Sequence, residues 1–414
     1  MNNSLKAKKH LILSKIYCLR TMSFNQVYEF IFAPEDLTVG YCSEVMKKMT
    51  ASGYIEKIGH YNEEAYYFLK KRGIDYLKSE GVINIGDRLP QPVSDFKTAG
   101  KLKIKETYIK HQLMLNQFVL EYERDTAEYF EYYDEINVST LFTNVRPDGI
   151  IKKGNTYYFL ETDMNTERSQ RLQKKWESYR RFAISQDYLD MRGDVKILFI
   201  LERVNEYSKR IINLEDYIYN NMNDIICSRL DVLINPRARI IKAINDNEIQ
   251  SKVKSAFERC GYEVTKESFK VESLLDNEFM TYAYKPTNQG RITIENNEHL
   301  EFLIDDFTNN SCYVIKKIRS YNALSSMFSV KNKRTIKYIL VIAAEEHSYL
   351  ISKRMSNFNN DIIFTTPERL KYSESIYNAL FQVTSTGTIY HFSENNLKVP
   401  VLEYTIPTKF LKIK

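Results

Sequence analysis

The order of hydrophobic periods predicts a chain of α+β class with an α/β element, in three parts. Helical spacing dominates the first seventy residues and closes on a short pair of strand-like runs. A central stretch alternates helix, hairpin, helix and a continuous apolar strand, Val195-Lys-Ile-Leu-Phe-Ile-Leu201. A last third repeats strand and helix periods in a similar order.

Composition bounds the reading. The chain has 414 residues, 43% of them hydrophobic, enough for two or three domains with real cores. Tyrosine is abundant at 31 residues, and it can half-bury its ring while keeping its hydroxyl wet. With only 13 Gly and 9 Pro, long low-complexity tracts are not expected. The net charge of +6 is uneven, since Met1 to Lys110 hold 18 Lys/Arg against 12 Asp/Glu and the remainder is close to neutral. A basic N-terminal quarter on a neutral body suggests a polyanion-binding module or a solubilising surface. The five cysteines are scattered without a CxxC pair, which argues against a disulfide framework and a structural zinc site. No apolar run approaches the ~18 residues of a membrane span, and no signal peptide is legible. The expectation is a soluble, cytoplasmic protein with no membrane contact.

Taken in order, Leu5, Leu11, Ile12, Ile16 and Leu19 fall at helical spacing. A second helix fits Phe24 to Phe32, before Pro34. A third fits Asp36 to Ser52, with Asp36 as cap, Gly53 as stop, and Val39, Val45, Met46 and Met49 as apolar face. That face leaves Tyr41, Ser43, Lys47 and Lys48 outward. Two strands, Tyr54–Ile58 and Ala65–Leu69, follow around Gly59-His60-Tyr-Asn62. Three helices and a hairpin are the order of a winged helix-turn-helix, which residues 1–82 resemble, with the third helix placed to enter a major groove. Tyr41, Ser43, Lys47, Lys48 and His60 are the candidate DNA contacts.

Residues 83–105 read as a basic linker, rich in Gly and Pro up to Gly100. The run Lys97, Lys101, Lys103, Lys105 and Lys110 is either a solvated face or a second set of phosphate contacts. Coming after a DNA-binding module, Lys101, Lys103 and Lys105 are taken as phosphate contacts.

The central domain spans 106–240. Its pattern is helical from Glu106 to Tyr133, then a hairpin of Asn144–Lys152 and Thr156–Asp163 turning at Lys153-Gly154-Asn155. A basic helix over about Thr166 to Ile184 leads to the buried strand at 195–201, and a further helix fits Ser208 to Ala243. Helix, hairpin, helix, strand is the order of a restriction-endonuclease-like core. The last domain, 241–414, is expected to be α/β. It has a helix at Gln250–Cys260 and strands at Phe269–Val271, Glu301–Asp305, Cys312–Ile318, Ile336–Ala343 and Asp361–Thr365. Its order echoes the central core, as a degenerate second copy would. Such a copy carries Val314 to Lys317 where the first has Glu161 and Asp163, and would lack the metal.

The chemistry sits in the central hairpin. Residues i and i+2 of a strand share a face, so Glu161 and Asp163 project together, and Asp148 on the preceding strand meets them if the hairpin pairs in register. Such hard oxygen donors suit Mg²⁺ or Mn²⁺. A metal held there can generate hydroxide and neutralise charge developing on a phosphoryl group. Lys174 or Lys175 could supply a fixed cation, and Lys175 shares a helix face with Tyr179 at i+4. His111 could serve as base, ligand or packed helix residue, and Trp176 as core.

Pro147-Asp148 and Glu161-Thr-Asp163 resemble the PD-(D/E)xK nuclease motif. The departure is that aspartate stands at 163 where the motif's lysine would be, with Lys175 as its displaced counterpart. Together with the helices and wing over 5–72, these stretches resemble the replication-relaxation family of plasmid and mobile-element proteins. The resemblance is carried by KETYIKHQLMLNQF with His111 and Asn116, Arg146-Pro-Asp-Gly149, Leu160-Glu-Thr-Asp163, Thr166, Lys175 and Tyr179. That family is similar in turn to the C-type mobilisation relaxases, which nick plasmid DNA through a nuclease-like site. The resemblance implies a protein that binds double-stranded DNA at an origin or operator. Its metal ligands would be Asp148, Glu161 and Asp163, and its catalytic set these three with Lys175. A site-specific nickase and a non-catalytic initiator or regulator both fit, and half-site reading would make the protein a homodimer.

Overall fold

The computed structural model describes residues 3–61, 64–81, 97–164, 169–202, 209–245, 248–265, 281–284, 300–321, 337–354, 362–374, 376–384, 386–393 and 396–406. Most of the 83–105 linker, the Phe269–Val271 strand and Thr166 lie outside these residues. The chain divides into two compact units, Met1–Val195 and Lys196–Lys414.

In the first unit, α1 (Asn3–Leu19) leads through β1 (Met22–Ser23) into α2 (Phe24–Val27), which runs on as a π turn (Tyr28–Phe32) and a 3-10 turn (Ala33–Glu35). Ser23 starts α2 with a reciprocal capping box to Gln26. Next come α3 (Val39–Ala51), β2 (Ile55–Tyr61), β3 (Glu64–Leu69) and α4 (Lys71–Ser79). The strands pair antiparallel in the order β1-β3-β2. Two details of α3 differ from expectation. Thr38, not Asp36, caps it by accepting from the Tyr41 N–H, while Asp36 turns the chain at φ +56°. Val39 is half exposed, and Cys42 takes its place on the buried face.

After α5 (Ala99–Leu102), the long α6 (Glu106–Asp125) packs on both the helical module and the hairpin. The expected helix to Tyr133 stops at Asp125, and β4 (Glu131–Asp134) begins a sheet. α7 (Glu135–Leu141), capped by Asp134, precedes β5 (Gly149–Lys153) and β6 (Thr156–Asp163). The antiparallel register sets Tyr133 opposite Ile150 and Gly149 opposite Leu160. α8 (Ser169–Ala183) and α9 (Gln186–Asp190) lead to β7 (Asp194–Leu201), within which the division between units falls. β7 starts beside the hairpin turn, where the Asp194 N–H donates to the Asn155 carbonyl at 3.0 Å.

Buried polar links join the helical module to α6. Asn116 donates to the Thr21 carbonyl at 2.6 Å, and Gln26 to the Leu113 carbonyl at 2.8 Å. Lys97 lies inside the fold, 2.7 Å from Asp134 and over the ring of Tyr17, so it is no phosphate contact. Lys8 and Lys9 are buried as well, Lys8 against Glu35 and the Ile31 carbonyl, Lys9 over Tyr54 and Tyr76. Part of the N-terminal surplus of positive charge is therefore structural.

In the second unit the expected helix at 208–243 is three elements, α10 (Lys209–Met222), β8 (Leu230–Pro236) and α11 (Arg237–Asn245). The run Leu230-Asp-Val-Leu-Ile234 is buried throughout and carries β-branched Val232 and Ile234, and that burial outweighs the helical spacing around it. α12 (Glu248–Arg259) precedes β9 (Glu263–Thr265), β10 (Thr281–Tyr284) and β11 (Leu300–Asp306). Residues 312–321 form a helix, α13, not the expected strand. Its first turn is fixed from outside the segment: Asp231 accepts the Tyr313 N–H at 2.9 Å and the Ser311 hydroxyl at 2.6 Å, and Ser311 accepts the Val314 N–H. β12 (Lys337–Val341), α14 (Glu345–Arg354), β13 (Ile362–Thr365), α15 (Pro367–Tyr372), α16 (Ile376–Ala379), β14 (Phe381–Val383), β15 (Thr388–Ser393) and β16 (Asn396–Thr405) complete it. β9 to β16 form one eight-stranded sheet in sequence order, with β11, β12 and β13 parallel. Alternate residues of these strands enter separate cores, one with Leu303 and Leu340 beside α13, the other with Ile304 and Ile339 beside α12. No helix among the described residues is long and apolar enough to cross a membrane.

Candidate functional site

The end of the β5–β6 hairpin gathers the polar residues. Pairing of Gly149 with Leu160 continues one step further, where the Asp148 N–H donates to the Leu160 carbonyl at 2.9 Å. That step brings Asp148 beside Glu161 and Thr162. Asp148 Oδ2 accepts from the Thr162 N–H at 2.8 Å and from its hydroxyl at 2.9 Å. His111, on α6, sets Nε2 3.1 Å from the same oxygen and also meets the Thr162 hydroxyl.

Glu161 is held from α8. Lys175 Nζ lies 2.8 Å from Oε2, and the Tyr179 hydroxyl donates to Oε1 at 2.6 Å. The i, i+4 spacing of Lys175 and Tyr179 puts both on the face turned to β6. Lys174 is exposed on another face, so of the two candidate lysines Lys175 is the one at the site. Asp163 is fully buried on β6.

The environments push the carboxylates apart. Burial drives Glu161 up to about 7, reinforced by the charge of Asp148, and outweighs the lowering by Lys175 and Tyr179. Asp148 goes the other way. Burial would raise it, but His111, Lys175 and the Thr162 N–H hold it at about 2. His111 is lifted above its usual value because the Asp148 carboxylate outweighs the burial that opposes its charge. Tyr179 is buried and its hydroxyl sits well above the ordinary phenol range, first through burial and then through Glu161, to which it donates.

The expected Mg²⁺ or Mn²⁺ would find hard oxygen donors in Asp148 and Glu161. Both Glu161 oxygens are engaged by Lys175 and Tyr179. Among the described residues no group of three His, Cys, Asp or Glu side chains is gathered as a metal requires.

Sequence reasoning named Asp148, Glu161 and Lys175 and left His111 open. It missed Thr162, whose backbone and hydroxyl both serve Asp148. The alternation of a strand was the available signal, because Thr162 between two acids faces away from both.

Of the expected DNA contacts, Lys47 and Lys48 are exposed on α3, Lys48 paired with Glu44 of the same helix, while Ser43 and Tyr41 are half-buried. Ser43 and Lys47 line a cleft of about 670 Å³ between α3 and the β2–β3 pair, together with Asn25, Thr50, Lys57 and Glu64. The backbone of His60 lies in β2, and its side chain is outside the described set. Lys101, Lys103 and Lys105 are exposed, with Lys103 3.0 Å from Glu56 of β2.

In the second unit another buried carboxylate, Asp305, is met by a lysine and a tyrosine. Lys317 of α13 lies 2.6 Å from Asp305 of β11, and the Tyr338 hydroxyl donates to the other oxygen at 2.7 Å. The expected correspondence of Val314–Lys317 with the Glu161 strand does not hold, because these residues are helical. The carboxylate-bearing strand is β11, and Lys317 belongs to the following helix.

Residues 13–197 match the model of the replication-relaxation family. Nothing among curated proteins, and nothing among solved structures, matches the chain.

Proposed function

With residues 13–197 belonging to the replication-relaxation family, we propose that the protein binds specific DNA sequences of a plasmid or mobile element and acts in its replication initiation or mobilisation. The observation that carries this reading is the order α1-β1-α2-α3-β2-β3 with its β1-β3-β2 sheet. It supports a winged helix-turn-helix, in which α3 enters the major groove and β2–β3 is the wing. The exposure of Lys47 and Lys48 on α3, and of Ser43 toward the cleft beside β2–β3, supports their assignment as DNA contacts. Tyr41 and His60 are proposed to line the same interface, and Lys101, Lys103 and Lys105 to hold flanking phosphates. Half-site reading makes a homodimer part of this proposal. The test is selection of fragments from a digest of a whole plasmid by full-length protein. Enrichment of one segment supports the reading, and uniform recovery contradicts it.

A second reading is DNA nicking, favoured by the adjacent His111–Asp148 and Lys175–Glu161 pairs at one hairpin end. In this reading the hairpin with α6, α8 and β7 is a nuclease-like core. Asp148, Glu161 and Asp163 would hold Mg²⁺ or Mn²⁺, which would require Lys175 to yield Glu161. The assay is conversion of supercoiled plasmid to the nicked form with either ion, compared with Asp148→Asn and Glu161→Gln. Nicking lost in both variants supports cleavage. Its absence from the wild type with every ion leaves a non-catalytic initiator or regulator.

A further inference from the structure

α8 carries five cations, Arg171, Lys174, Lys175, Arg180 and Arg181, against one acid, Glu177. Its inward face is Leu172, Trp176, Tyr179 and Phe182, all buried, with Lys175 directed to Glu161. Arg171, Lys174 and Arg181 are exposed, and their spacing of three and seven residues sets them on one narrow outer stripe. None of the three has an ion-pair partner among the described residues. Glu177 stands three residues after Lys174 and four before Arg181 on the same side of the helix, and accepts from the Gln173 amide at 3.0 Å.

A solvated helix face ordinarily intersperses the two signs at i, i+4, because like charges on adjacent turns repel. This stripe has one acid against three cations. The helix is also fixed in place: the Ser178 hydroxyl donates to the Asn144 carbonyl, and Lys175 ties the helix to β6. The three cations therefore stand at a set position relative to the Asp148–Glu161 cluster.

We propose that Arg171, Lys174 and Arg181 form a second contact for a DNA phosphodiester backbone, separate from that of α3. The inference rests on the DNA-binding reading and adds a place where DNA passes close to the polar cluster. Fixed cations that match the spacing of a polyanion release its counterions on binding, so each contact steepens the dependence of affinity on salt.

The experiment is fluorescence anisotropy of full-length protein on a long mixed-sequence duplex across a salt series. Wild type is compared with R171Q/K174Q/R181Q and with the single K174Q. The triple variant should keep the wild-type melting temperature, since its side chains are exposed. Its slope of log K against log salt should be shallower by about 2–3, at about 0.9 per lost phosphate. K174Q should show about a third of that change. A triple variant with wild-type slope and affinity, while Lys47→Glu still weakens binding, would overturn this inference and leave the DNA reading standing. Wild-type protein that binds no duplex at low salt would overturn both.

Discussion

Lys175 of α8 and Glu161 of β6 lie 2.8 Å apart in a site where Glu161 is almost wholly buried. The pair ties the basic helix to the hairpin that presents Asp148. Yet burial still pushes Glu161 up to about 7, so the lysine offsets only part of the desolvation.

That balance gives stability a direction with pH. Glu161 binds its proton more tightly folded than unfolded, and so does His111. Both contribute stability that is full below their ordinary values and lost as pH rises through the folded ones. Asp148, held at about 2, stays ionised and does not oppose this. Urea midpoints measured in chelator should therefore fall between about pH 4.5 and pH 8. Glu161→Gln should flatten much of that fall. An equally steep fall in the Gln variant would contradict the assignment.

Tyr179→Phe removes the hydroxyl that donates to Glu161 at 2.6 Å and leaves one buried oxygen without that donor. The expected loss is about 1–3 kcal/mol in chemical denaturation, with DNA affinity unchanged. Any nicking should proceed without a protein–DNA adduct on this residue, and a covalent adduct at Tyr179 would refute the donor role.

The basic module and the hairpin stand or fall together. Lys97 and Asp134 form a buried pair at 2.7 Å, and Asp134 also caps α7. Replacing Lys97 with methionine strands that carboxylate, at a cost of about 3–5 kcal/mol. The readout is a melting curve of the full chain. If Lys97→Met melted as the wild type does, the pair would be shown to carry no weight.

Gly193 is the tightest glycine position described. A Cβ there would sit 1.9 Å from the Asn155 carbonyl oxygen, which is the acceptor for the Asp194 N–H. Gly193→Ala must move backbone, so the hairpin turn and the start of β7 should part. The expected effect is a loss of folded protein in expression and circular dichroism, and a well-folded alanine variant would contradict it.

Much of this was legible in the sequence for local reasons. Gly154 marked the β5–β6 turn, alternation set the two strands, and the i, i+4 spacing of Lys175 and Tyr179 anticipated that they share a face. What was not legible depends on distant partners. Near Cys312-Tyr-Val-Ile the local helix signal is Ser311, which accepts the Val314 N–H; the other support of the first turn comes from Asp231, some eighty residues earlier. Lys8, Lys9 and Lys97 look like surface charge until Glu35, Tyr76 and Asp134 are seen to receive them. His111 joined the site only because α6 carries it to Asp148. α6 also bonds to the Thr21 carbonyl through Asn116, a second distant link that the local pattern does not show.

The claim that the protein reads DNA through α3 is tested most directly by one titration. Full-length wild type and Lys47→Glu/Lys48→Glu are compared by fluorescence anisotropy on the segment that plasmid selection enriches. The account predicts wild-type affinity that falls steeply with salt, and a loss of at least about tenfold in the double variant with an unchanged melting temperature. Equal affinity in the two proteins would contradict it.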